Sequence, residues 1–183
     1  MAKFYVNFTY GNEEYELTLP CPDLEEYFLF MGLPSEQIGF YQEMKINRLE
    51  CDEFDFSYDG TLDLVEFNRL LMELNYLSAG TIYLVGLLTK YNGNTFEAFK
   101  ESLKTYNQYD YFDIELGDRL LGEYILTDIF GTNIASSAIG EAVYCDDIAN
   151  EALYQGMVFE VGASYLIRKN DLLQSARKRG ASV

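Results

Sequence analysis

The sequence predicts an α+β protein: a small antiparallel sheet with one helix at the N-terminus, a central helical bundle, and a C-terminal α+β subdomain. Two periodicities and one composition predict it. Apolar residues alternate in the first twenty positions and again near 157–168, the period of a half-buried strand. They recur at helical spacing through the middle of the chain. Hydrophobic residues make up 49% of the 183 positions and aromatic ones 16%, with only three prolines, far too apolar for a disordered acidic chain.

The elements follow in order. Phe4, Val6 and Phe8 alternate with Tyr5, Asn7 and Thr9, and Tyr15, Leu17 and Leu19 alternate beyond a turn at Tyr10-Gly11-Asn12-Glu13; together they read as a β-hairpin. Pro22-Asp23 opens a short helix carrying Leu24, Tyr27, Phe28 and Met31, stopped by Gly32. A third strand covers Glu43 to Glu50 through Met44, Ile46 and Arg48 or Leu49. The acidic loop from Asp52 to Gly60 leads to a helix from Leu62 to Leu77, followed by helices over Ala79–Lys90 and Asn94–Tyr106. Asn94 is placed to cap the last of these, with Glu97 at the acid position of a capping box. Tyr109–Ile114 reads as a strand, Leu116–Phe130 as a helix ended by Gly131, and Asp147–Tyr154 as a short helix. Met157–Val161 and Ser164–Arg168 pair as a hairpin around Gly162-Ala163, and Asn170–Gly180 is a basic helix. Three subdomains result: residues 1–60, 61–107, and 108–183 with its basic tail.

Charge is the strongest functional signal. There are 30 acidic residues, 13 basic ones and no histidine. Through Glu160 the chain carries 8 basic against 29 acidic residues, a balance of −21; from Val161 onward the balance is +4. Like charges on one small body repel, so folding alone does not call for this imbalance. It suits a partner with a positive groove and excludes direct nucleic-acid binding by the acidic body. Duplex DNA carries one charge per roughly 1.7 Å of axis, so −21 matches about 36 Å, close to one helical turn.

Without histidine, Ser-His and Cys-His nucleophile pairs are impossible, and neither a Walker loop nor a Gly-x-Gly-x-x-Gly turn occurs. Close carboxylate pairs are expected by chance among 30 acids, so the chain reads as a non-enzyme with no catalytic residue and no cofactor. Cys21, Cys51 and Cys145 lack metal-site spacing and read as free thiols of a reducing cytoplasm. The longest apolar stretch, Ala79–Leu88, is short of the roughly 18 residues a membrane span needs. One metal pattern stands out: Asp55, Ser57, Asp59, Thr61, Asp63 and Glu66, with Gly60 at the turn, match the oxygen positions of an EF-hand calcium loop. Against it, the segment before the loop reads as a strand, and no second loop pairs with it. The plainer alternative is a helix start with Asp63 as cap and Glu66 closing the capping box.

Leu62 to Leu74 (LDLVEFNRLLMEL) after an acidic aromatic loop resembles the central helix of ArdA-type antirestriction proteins, the match resting on Glu66-Phe67-Asn68-Arg69-Leu70. Leu116 to Tyr124 (LGDRLLGEY), Tyr144 to Leu153 (YCDDIANEAL) and Phe159 to Ile167 are similar to later segments of that family. The resemblance implies an elongated three-subdomain protein, a homodimer formed through the C-terminal part, and mimicry of bent B-DNA. It implies an anti-defence protein of a mobile element, in the cytoplasm of a bacterial host, that occupies the DNA channel of a type I restriction–modification enzyme. Within the matched segments Glu66, Asp118, Glu123, Asp146, Asp147 and Glu151 would stand in for phosphates. Surface patterning alone adds Glu73, Glu97, Glu101, Asp110, Asp113 and Glu115. An anti-CRISPR inhibitor of a Cas9-type effector would look the same in sequence, because its guide-and-target channel is also positive. A calcium-binding module is the rival from another class.

Overall fold

Alternation in the first strand buries Phe4, Val6 and Phe8 and turns Tyr5, Asn7 and Thr9 outward. The computed structural model describes residues 2–32, 44–51, 60–131 and 144–180. These fall into two compact units, Met1–Lys104 and Thr105–Val183, and the chain is a mixed α+β protein with two antiparallel sheets.

In the first unit, β1 (Phe4–Tyr10) and β2 (Glu13–Leu19) form a hairpin in register Tyr10↔Glu13. Its two-residue loop has Gly11 at φ +64°, the positive first position that a glycine adopts at no steric cost. β3 (Met44–Cys51) pairs antiparallel with the other side of β1, and β4 (Gly60–Leu62) with β3, giving the order β2-β1-β3-β4. The β1–β3 register skips at Asn47: Asn7 faces Arg48, but Phe8 faces Ile46. This bulge turns Asn47 and Arg48 outward in succession and brings Leu49, not Arg48, into the core.

Helix α1 (Leu24–Phe30) lies between β2 and β3 in the chain, and α2 (Leu64–Leu74), α3 (Ala79–Tyr91) and α4 (Phe96–Thr105) follow β4. Phe67 of α2 is the hub. Its ring meets Phe4 edge-on at 5.2 Å and Phe96 and Phe99 at 5.6 Å, so the sheet and these helices share one core. Buried Asn68 takes the Cys21 N–H on Oδ1 (2.7 Å) and donates Nδ2 to the Cys21 carbonyl (2.9 Å), closing backbone groups that β2 leaves behind.

Two expectations are corrected in this unit. Leu62 belongs to β4, not to the helix, because Gly60, Thr61 and Leu62 find backbone partners on β3 and the helix starts only after the Asp63 cap. Asn94 does not cap α4. It adopts φ +58° in the turn after α3, and Thr95 Oγ1 takes the Ala98 N–H instead, at 3.1 Å.

The second unit is a three-stranded sheet in the order β5-β7-β6 covered by helices. It contains β5 (Tyr109–Asp113), α5 (Asp118–Tyr124), α6 (Cys145–Tyr154), β6 (Val158–Val161), β7 (Ser164–Arg168) and α7 (Lys169–Gly180). The β6–β7 hairpin repeats the first one, with Gly162 at φ +64°. Leu121 and Ile125 from the α5 region, Ala149 and Ala152 of α6, and Val158, Tyr165, Ile167 and Leu172 form its core. The single helix expected over Leu116–Phe130 is three pieces. A 3-10 turn at Ile114–Leu116 ends on Gly117 at φ +83°, α5 follows, and a π-helical turn covers Ile125–Ile129. The positive φ at Gly117 cannot continue a right-handed helix.

Candidate functional site

The acidic residues singled out in the sequence meet different fates in the two units. In the first, they sit beside cations. Lys100 Nζ lies 2.7 Å from Glu97 and 3.7 Å from Glu66, over the Phe96 ring at 4.7 Å. The hydrogen bond to Glu97, ahead of the charge of Glu66, holds the Lys100 ammonium above its ordinary range. Glu73 is paired with Arg69 one turn away. Glu101 is exposed on α4 and has interactions of its own.

In the second unit Asp171 pairs with Arg168 at 3.7 Å, but the carboxylates singled out in the sequence meet phenols, backbone N–H groups or an amide, or are exposed. Asp110 on β5 uses both oxygens: Oδ1 accepts the Tyr111 N–H at 3.0 Å and Oδ2 accepts the Tyr124 hydroxyl at 2.6 Å. Asp118, the first residue of α5, accepts the hydroxyl of buried Tyr165 on β7 at 3.1 Å. Burial first, then the aspartate hydrogen bond, pushes both phenols above their ordinary value, so both stay protonated at neutral pH. Asp113 caps the 3-10 turn by accepting from the Glu115 N–H at 2.9 Å. Glu151 lies one turn from Gln155 on α6, at 3.2 Å.

The remaining acids gather where α5 crosses α6. A Cβ on Gly122 would lie 1.8 Å from the Cys145 carbonyl oxygen, so the two backbones touch there and only glycine fits. Glu123 is the next residue on α5; Asp146 and Asp147 are the next two on α6. All three are exposed, and among the described residues none has an ion pair. The two aspartates also occupy the first turn of α6, where its dipole favours negative charge. This point therefore holds three exposed carboxylates on helices α5 and α6 that make no ion pair among the described residues. It can attract and orient cationic side chains.

Of the EF-hand pattern, Asp55, Ser57 and Asp59 lie outside the described residues. Asp63 Oδ1 accepts the Glu66 N–H at 2.9 Å as the cap of α2, and Thr61 pairs with Lys45 in the sheet. The segment before the loop, β3, is a strand. Among the described residues no group of three or more His, Cys, Asp or Glu is placed to hold a metal ion. Cys21, Cys51 and Cys145 are free thiols. An open groove of about 470 Å³ lies on the outer sheet face by Tyr5, Glu16 and Thr18, but its one cation, Arg48, closes on Glu50 at 2.5 Å. Among the described residues no helix is long and apolar enough to cross a membrane.

Sequence reasoning missed Tyr124, Tyr165 and Gly122. A glycine inside a helical pattern was the available signal for close helix packing. A buried tyrosine needs a partner for its hydroxyl, but the partner of Tyr165 is 47 positions away, beyond the reach of any local pattern. No protein-family model, no curated protein and no solved structure matches this chain, so its function is read from the charge pattern and the geometry of its own residues.

Proposed function

We propose that this chain is a non-enzymatic DNA mimic, an anti-defence protein of a mobile element that inhibits a bacterial DNA-handling enzyme by occupying its positive DNA channel. The observation that carries this reading is the set of three exposed carboxylates at the α5–α6 crossing, Glu123, Asp146 and Asp147, none of which makes an ion pair among the described residues. They belong to a segment, Thr105–Glu160, with 11 acidic residues and one basic one. Fixed carboxylates compete with DNA phosphates for Lys- and Arg-lined surfaces, and need no counterion atmosphere condensed at DNA density. The resemblance to ArdA-type antirestriction proteins favours a type I restriction–modification enzyme as the target.

Displacement of a labelled duplex from a purified type I restriction enzyme tests the reading. Added protein is expected to release the duplex at 50 mM salt and to lose most of that effect by roughly 300 mM, as screened charge requires. Release from a Cas9-type effector, but not from the restriction enzyme, would move the target to the guide-and-target channel. No release from either would overturn the proposal.

A further inference from the structure

The acids of the second unit divide into two kinds, and the division assigns roles that charge alone does not. Helix α5 is seven residues long and is tied to the sheet at both ends. Its first residue, Asp118, accepts from Tyr165 of β7 at 3.1 Å, and its last, Tyr124, donates to Asp110 of β5 at 2.6 Å. The two bonds run in opposite senses, carboxylate on helix to phenol on sheet and phenol on helix to carboxylate on sheet. Together they fix both the tilt and the rotation of α5. Between them Leu121 is fully buried, and Gly122 meets the Cys145 carbonyl. A phenol partner also holds a carboxylate without adding a cation, so the clamp leaves the local charge unchanged.

We infer that Tyr124 and Tyr165, anchored by Asp110 and Asp118, are positioning residues that hold the α5–α6 crossing in the geometry the partner reads, and that Asp110 and Asp118 act there as hydrogen-bond acceptors and not as phosphate surrogates. Asp110 fits this role on its own geometry, since it is half-buried and both of its oxygens are already engaged. The inference rests on the DNA-mimic reading for its consequence, but the clamp can be judged without it.

The decisive variants separate position from charge. Tyr124→Phe with Tyr165→Phe keeps both rings and the net charge of −17 and removes only the two hydroxyls. It is expected to weaken duplex displacement about tenfold while leaving the salt dependence of displacement unchanged, because no charge is lost. Asp118→Ala is expected to behave like Tyr165→Phe. Asp118→Asn, whose amide oxygen still accepts from Tyr165, is expected to restore displacement to within about twofold of the parent. Asp118→Asn as weak as Asp118→Ala would show that Asp118 acts by its charge and would overturn the assignment. A double Phe variant that displaces like the parent would overturn it as well. Amide hydrogen exchange over residues 118–124 covers the case of a variant that folds poorly and the case in which the parent displaces nothing. Faster exchange confined to α5 in each single Phe variant supports the clamp, and unchanged exchange in both overturns it. Failure of the parent to displace DNA, by contrast, sinks only the mimic reading.

Discussion

Both units carry an excess of acid, but in different company. The first holds 18 acidic and 7 basic residues, the second 12 and 6, and five of those six bases follow Val161. In the first unit Lys100 serves Glu66 and Glu97, Arg69 serves Glu73, and Arg48 serves Glu50. In the second, Arg168 serves Asp171, Asp110 and Asp118 are met by tyrosine hydroxyls, and Glu123, Asp146 and Asp147 are exposed and make no ion pair among the described residues, although Arg119 stands one turn before Glu123 on α5. An ion pair orders a carboxylate and cancels its field. A phenol orders it and leaves the field intact. Net charge therefore understates the difference between the units, and a cationic partner would feel the second more strongly at short range.

The most direct way to break this comparison is to remove equal charge from each unit. Glu123→Gln with Asp146→Asn and Asp147→Asn takes three charges from the second unit. Close charge pairs across an interface are worth about 1.5 kcal/mol or more each, so displacement of duplex is expected to weaken on the order of 1,000-fold. Glu66→Gln with Glu73→Gln and Glu97→Gln removes the same formal charge from the first unit, but frees Lys100 and Arg69 as it does so. A change of about threefold or less is expected there, in line with the small worth of exposed ion pairs. Titrating both triple variants against one enzyme–duplex complex gives the ratio. Equal losses would mean that total charge, not its local pairing, governs inhibition.

The elements on which the comparison depends were legible to different degrees. Both hairpins could be read, because alternation and a two-residue glycine turn are local signals, and Gly11 and Gly162 adopt the same φ of +64°. The burial of β3 could be read only up to Ile46; the bulge at Asn47 shifts the phase and exchanges Arg48 for Leu49. Helical spacing ran the α5 region from Leu116 to Phe130 as one helix, since apolar periodicity is blind to the backbone of Gly117 and to a single π turn. The acids were visible as composition, but their partners were not. Lys100 is a helix-turn neighbour of Glu97, which spacing could have suggested; Tyr165 and Asp118 meet only through the tertiary fold. Which carboxylates keep their field is thus decided partly by ion pairs that a short window of sequence contains and partly by tertiary contacts that it does not.

A sharper and smaller test acts on the helix crossing without touching charge. Gly122→Ala puts a methyl group where the Cys145 carbonyl oxygen already lies, and backbone on both sides must move. Overpacking of this kind costs about 1–3 kcal/mol. Thermal or urea unfolding followed by probes in each unit is expected to show the second unit destabilised by that amount and the first unchanged. If the crossing sets the spacing between Glu123 and Asp146 or Asp147, inhibition falls as well, although every carboxylate remains. A variant that unfolds like the parent would mean that α5 and α6 can separate at no cost, and the case for a rigid acidic site would lose its support.

The smallest effect separates the units on the alkaline side. Burial and the aspartate hydrogen bonds hold Tyr124 and Tyr165 above the ordinary phenol value near 10. The folded state then keeps protons that the unfolded state has lost, so their contribution is complete below about pH 10 and declines as pH rises through the folded values. Deprotonation there sets a phenolate against an aspartate, two negative charges at hydrogen-bond distance. In the first unit Tyr15 is also raised, first by its hydrogen bond to Glu13 at 2.8 Å, but that pair is exposed and screened by solvent; Tyr27 is raised too, by burial ahead of the charges of Cys21 and Glu16, but its hydroxyl donates to the uncharged Glu16 carbonyl. Stability measured from pH 9 to 11.5 is therefore expected to fall more steeply in the second unit, and the Tyr124→Phe, Tyr165→Phe double variant is expected to flatten that slope while starting from a lower value. Parallel slopes in the parent, or an unchanged slope in the double variant, would mean that these hydroxyls do not hold α5 to its sheet.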